Sequence, residues 1–179
     1  MISRRGFALL LAAALLAPCG HAQERESSLS DKEVEKLRDA AYFPSERVLV
    51  FVSFLDERAD AIQKLSNGPR KPGREEDLHD LYTQFSDILD ELEDNLDDYG
   101  PHHRDLRKAL PKLLKAAERW ATTLRTPPEN DAYTVPRRLA LEALHDVRED
   151  ASRLIEEQKS WFAQHPPSKD GDGRSEEPR

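Results

Sequence analysis

The chain has 179 residues, 35% charged and 37% hydrophobic, with 27 basic against 35 acidic side chains, a balance that suits helices buried along one stripe and solvated elsewhere. Its one cysteine is Cys19 and its one methionine is Met1. A chain trimmed of its first residues therefore has no thiolate for catalysis, zinc or iron–sulfur ligation, no disulfide and no His/Met haem. The acidic excess disfavours nucleic acid, whose affinity comes largely from phosphate neutralisation, and anionic membrane for the same reason.

Ser3-Arg4-Arg5-Gly6-Phe7 leads into an uncharged apolar run ending at Ala17. Paired arginines ahead of such a run form an export address, by the twin-arginine or the general secretory route. The run is too short to span a bilayer. Gly20-His21-Ala22 offers small residues where a signal peptidase reads them, so cleavage is expected between Ala22 and Gln23. Pro18 stands before Cys19 where lipid attachment needs a small residue, which favours release over anchoring. The expectation is an extracytoplasmic protein, periplasmic or secreted, without stable membrane insertion. Residues 23–179 then carry 25 basic and 35 acidic side chains, a net charge of −10, in one domain over 31–165.

Residues 23–30 read as a flexible leader. Ser30-x-x-Glu33 is a capping box that opens a helix over 31–43. Pro44 should kink that helix, which resumes through residue 65. "RVLVFVSFL" (47–55) has strand composition, but no second strand exists to pair with it, so helix is expected. Asn67 to Gly73 is a loop by its Gly/Pro punctuation. A second helix over 74–99 repeats Leu78, Leu81, Tyr82, Phe85, Ile88, Leu89, Leu92, Leu96 and Tyr99 on one face. Gly100-Pro101 should end it and start a third over 102–125, with Pro111 bending that helix and freeing the Arg107 carbonyl. Residues 126–136 form a loop. A fourth helix over 137–163 has the seam Ala140, Leu144, Val147, Ala151, Leu154, Gln158 and Trp161. Residues 166–179 lack apolar side chains and read as a disordered tail.

These elements predict an all-α fold, an antiparallel up-down-up-down four-helix bundle with a Pro-kinked first helix. The short turn at 100–101 should make the second and third helices antiparallel neighbours. The second has eleven acids and only Arg74 as a base, and the third has seven bases and two acids, so opposite charges would face each other.

Candidate chemistry is sparse. Glu76–His79 and Glu142–His145 are both Glu-x-x-His, the spacing of di-iron bundles. At about 100° per residue, however, both pairs point away from the leucine stripes, towards water. Asp94, Asp97, Asp98, His102, His103 and Asp105 crowd the turn after the second helix. Of these, Asp94, Asp98, His102 and His103 are the candidate ligands for a divalent metal. Lys169 to Gly173 resembles half a calcium loop but lacks its closing glutamate. No Gly-x-Ser-x-Gly or phosphate loop occurs, and Trp120 and Trp161 lie on buried stripes. Leu49, Val50 and Phe54 exceed what one stripe can bury. Either the Leu37–Ala41–Tyr42 segment or the Tyr133–Val135 loop covers them, or they form a partner or self-association surface. The functional expectation is a non-enzymatic exported module for interaction, sensing or chaperone-like work, with no cofactor and a protein partner. The alternative is a divalent-metal binder using the turn.

Overall fold

The computed structural model describes residues 28–166. The export segment with Cys19, the cleavage point at Ala22 and Gln23, and residues 167–179 of the tail lie outside the described residues. Five helices form: α1 (Asp31–Asp39), α2 (Pro44–Asn67), α3 (Arg74–Tyr99), α4 (Leu110–Arg125) and α5 (Thr134–Gln164), with no strand among the described residues. The β-branched run 47–55 is helical, inside α2.

α1 starts at the expected box: the Ser30 amide donates to Glu33 Oε2 at 2.8 Å. Two prolines act differently from expectation. Pro44 does not kink a continuous helix. α1 ends at Asp39, a turn follows, and Pro44 takes the first position of α2, where its missing N–H has no partner to lose. Pro111 likewise sits in the first turn of α4 rather than bending its interior. Residues 101–109 are therefore two turns joined by irregular backbone at 104–106, not the first part of a helix. Residues 28 and 29 of the expected leader pack against the helices. Leu29 is buried, Arg58 Nη2 donates to the Ser28 carbonyl at 3.1 Å, and the Ser28 hydroxyl donates to Asp87.

The elements α2, α3, α5 and α4 follow one another round a single core, and α1 lies on α2. α2 and α3 run antiparallel, with Arg47 Nε on Asn95 at 2.7 Å and Arg58 Nε on Gln84 at 3.3 Å. α2 and α4 run parallel. Ser45 at the start of α2 reaches Asp105 just ahead of α4, and Asp56 one side further along meets Arg119 and the Trp120 indole N–H. α3 and α5 are also parallel, Asp90 lying near Asp146 and Glu93 near Asp150. α4 and α5 are antiparallel, Arg137 Nη2 donating to the Arg125 carbonyl at 3.1 Å.

The expected pairing of the second and third long helices is thus corrected. α3 and α4 are consecutive in sequence but stand at diagonal corners. They meet in the centre: Phe85 is edge-on to Trp120 at 5.7 Å, and the Tyr82 hydroxyl donates to the Leu124 carbonyl at 2.8 Å. Residues 100–109 are long enough to cross the end of the molecule. Gly100 allows the crossing to begin close to α5, because a Cβ there would lie 2.9 Å from Leu154 Cδ2.

The surplus apolar surface of α2 is covered from within. Phe54 is fully buried, with the Lys36 ammonium of α1 5.6 Å from its ring centroid. Leu49 and Val50 are half-buried against the core. Phe54 therefore belongs to the core and not to a partner surface. Every buried side-chain nitrogen and oxygen among the described residues has a hydrogen-bond partner. No helix among them is long and apolar enough to cross a membrane.

Candidate functional site

The crossing segment 100–109 is held from both sides. The Ser45 hydroxyl of α2 donates to the Asp105 carbonyl at 2.7 Å. On the α5 side, Gln158 is only 2% exposed. Its Nε2 donates to the Arg104 carbonyl at 2.7 Å, and its Oε1 accepts from the Leu106 amide at 2.9 Å. The one polar residue on the α5 seam is thus a two-point clip for irregular backbone, which must be satisfied somewhere once buried. Between the two anchors Leu106 is fully buried and takes over the core position that a helix would have given it.

His103 adopts a left-handed φ of 50°, uncommon for a residue with a side chain. This turns its ring onto Trp161, with centroids 3.6 Å apart and planes 10° apart. His165 stacks on the same indole at 3.8 Å and 18°. Two imidazoles cannot share one face at those separations, so they lie on opposite faces. His165 Nδ1 also donates to the Trp161 carbonyl at 3.1 Å. Beside this stack, the Arg107 guanidinium lies 4.0 Å over the Phe162 ring. Asp105 holds Arg107 with two oxygens, at 2.9 and 2.7 Å, and that hydrogen bonding keeps the Asp105 carboxyl below its ordinary range.

The candidate metal ligands do not converge. His102 Nδ1 donates to the Asp98 carbonyl at 2.6 Å and lies 3.7 Å from the Asp98 carboxylate. His103 faces Trp161, and Asp94 is exposed on α3. Among the described residues no three His, Cys, Asp or Glu side chains stand close enough to share an ion. Both Glu-x-x-His pairs are exposed, with His79 beside Asp80 at 3.2 Å, His145 beside Glu149 at 3.2 Å and Glu142 on Arg138 at 2.9 Å.

The diagonal placement of α3 and α4 leaves charge unneutralised. Along the parallel α3–α5 seam, carboxylates meet carboxylates. Partial burial raises Asp90, and Asp87, Asp94 and Asp146 raise it further. Burial likewise raises Glu93, with Asp150, Asp146, Asp97 and Asp90 adding to the effect. At the opposite corner α4 carries Lys112, Lys115, Arg119 and Arg125 against Glu118. Arg119 pairs with Asp56 of α2 at 2.8 Å, while Lys112 and Lys115 are exposed.

Between α4 and α5 lies an open hollow of about 820 Å³ whose lining includes Arg125, Arg137, Arg138, Leu141, His145 and Arg148. Two of its arginines are structural: Arg125 donates to the Ala121 carbonyl at 2.7 Å and Arg137 to the Pro127 carbonyl at 2.9 Å.

Sequence reasoning missed the crossing segment and its stack because it read 102–109 as helix. The available signal was Gln158, a lone amide on an apolar seam, which marks a place where backbone from elsewhere needs partners. The chain matches no protein-family model, no curated protein and no solved structure.

Proposed function

We propose that this chain is an exported, non-enzymatic four-helix bundle that recognises a cationic protein partner through the acidic ridge of α3 and α5. The observation that supports this reading is the ridge itself. Asp90 and Glu93 are flanked by Asp87, Asp94, Asp97, Asp146 and Asp150, while the basic helix α4 is held at the far corner. Like charges gathered across a helix–helix seam lower stability, and a partner bringing Lys or Arg relieves that repulsion while gaining electrostatic steering. The export reading rests on Arg4-Arg5 and the apolar run behind them, and such a route places the ridge outside the cytoplasm.

The test is calorimetric titration of the full chain with a synthetic arginine-rich peptide at low and at physiological salt. Saturable binding that weakens with salt is expected. It should be lost in Asp90→Asn/Asp94→Asn/Asp97→Asn and retained in Glu142→Gln/Glu149→Gln/Glu156→Gln, which removes the same charge elsewhere. Equal weakening by both triple variants would reduce the effect to net charge and overturn the ridge as the site.

A further inference from the structure

Beside the hollow of about 820 Å³ between α4 and α5 lies a smaller one of about 500 Å³, and Arg148 of α5 lines both. We infer that the larger hollow binds an amphiphilic organic anion, a carboxylate carried on a single acyl chain. The Arg148 guanidinium holds the head group and the apolar floor holds the chain.

The floor is built from small and aliphatic side chains. Ala121 and Leu144 are buried, and Leu141 is half-buried against the core. Ala121 contributes only a methyl group from α4, which leaves space between two helices that otherwise pack closely. An acyl chain laid there leaves water at both its own surface and the floor's, and that transfer is favourable.

The cations supply the direction. Arg125, Arg137 and Arg148 line the larger hollow, and among the described residues none of them has a carboxylate within ion-pair distance. Arg125 and Arg137 are held in place by backbone, donating to the carbonyls of Ala121, Pro127 and Arg125. Their aliphatic stems can cover the far end of a chain while their charges add to the field. Arg148 differs from both. It is half-buried, and its guanidinium has no hydrogen-bond partner among the described residues. A planar fork of N–H donors matches the two oxygens of a carboxylate.

The acids of the lining do not take this place. Glu142 is held by Arg138 at 2.9 Å, and Glu149 lies 3.2 Å from His145. Asp146 acts on Asp90 and Glu93 across the α3 seam. Glu129 is exposed in the loop beyond α4, and Glu118, also exposed, lines only the smaller hollow. Length favours a chain over a small anion. Arg137 and Arg148 are separated by about 16 Å of helix rise, close to the roughly 15 Å that one leaflet of acyl chains occupies in a bilayer. The inference does not depend on the acidic ridge, which lies on the α3 side of α5.

The experiment is calorimetric titration of the full chain with sodium dodecanoate below its micelle-forming concentration, with butyrate and inorganic phosphate as companion probes. Saturable one-to-one binding of dodecanoate is expected, with butyrate and phosphate at least tenfold weaker. Arg148→Gln removes no contact of the fold and should weaken dodecanoate about tenfold. Lys32→Gln removes the same charge from an exposed position of α1 and should leave binding unchanged. Ala121→Leu fills the floor and should also weaken dodecanoate about tenfold, with circular dichroism confirming its helices. Arg148→Gln keeps the test decisive if Ala121→Leu does not fold. Phosphate or butyrate binding as tightly as dodecanoate would leave a bare anion site and overturn the acyl-chain reading. Absence of saturable binding, full affinity in Arg148→Gln, or equal weakening by Lys32→Gln overturns the site itself.

Discussion

Glu33→Gln should destabilise the protein by about 2–3 kcal/mol at neutral pH, and the loss should disappear in acid. Glu33 is 7% exposed, and both of its oxygens accept from Arg58, one of them at 3.0 Å. The Arg58 hydrogen bond is the largest influence on its carboxyl. With help from the Ser30 amide and hydroxyl it outweighs burial and brings the pKa from 4.5 down to about 2. A carboxyl depressed in the folded state adds stability above its unfolded pKa and loses it as pH falls through the folded value. The full depression corresponds to about 3 kcal/mol, and solvent at the rim of the pair lowers the expected figure towards 2. Glutamine keeps the shape and an acceptor for Ser30, and Arg58 still donates to the Ser28 carbonyl and to Gln84, but its remaining ion-pair partner is the exposed Glu57, 3.8 Å away. Urea unfolding followed by far-UV circular dichroism measures the gap between wild type and variant. It should be constant from pH 7 to about 4.5 and close as pH approaches about 2. Because α1 packs only on α2, amide exchange at Leu37 checks whether the loss is local to α1. A gap below about 0.5 kcal/mol at pH 7, or one of full size that does not change with pH, would refute the reasoning.

The α3–α5 ridge should behave with the opposite sign. Asp90 and Glu93 have raised carboxyls, so their contribution is favourable below the ordinary carboxylate range and is lost as pH rises through the folded values. Asp90→Asn and Glu93→Gln should each raise stability at pH 7 by a few tenths of a kcal/mol after screening. That gain should appear in thermal unfolding at low salt and shrink at high salt; a loss in both variants would contradict it. Gln158→Leu keeps the volume but removes the partner of the buried Leu106 amide and the side-chain donor to the Arg104 carbonyl. A cost of about 2–4 kcal/mol in urea unfolding is expected, and a cost below about 0.5 kcal/mol would show that water replaces the clip.

Much of the helical layout could be read from residues close together in sequence. The capping box at Ser30 and Glu33 formed as read, and the 74–99 stripe from Leu78 to Tyr99 is buried apart from a half-buried Leu81. Both Glu-x-x-His pairs face water, because a 3.6-residue period assigns a direction to every side chain on a helix. The acidic character of α3 was equally plain. Which helix stands beside which was not, since periodicity orients a face without saying what covers it. That order was decided by residues 100–109. Their path depends on Pro111 taking a helix start, on Gly100 fitting against Leu154, and on Gln158 binding a backbone amide 52 residues away. The same long-range closure separated the acidic helix from the basic one and laid His103 on Trp161. Local hydrogen bonding and side-chain period are settled within a few residues. Neighbour order is settled only when distant segments satisfy each other's buried backbone, which is why tertiary structure alone determined the acidic α3–α5 seam and the path of residues 100–109.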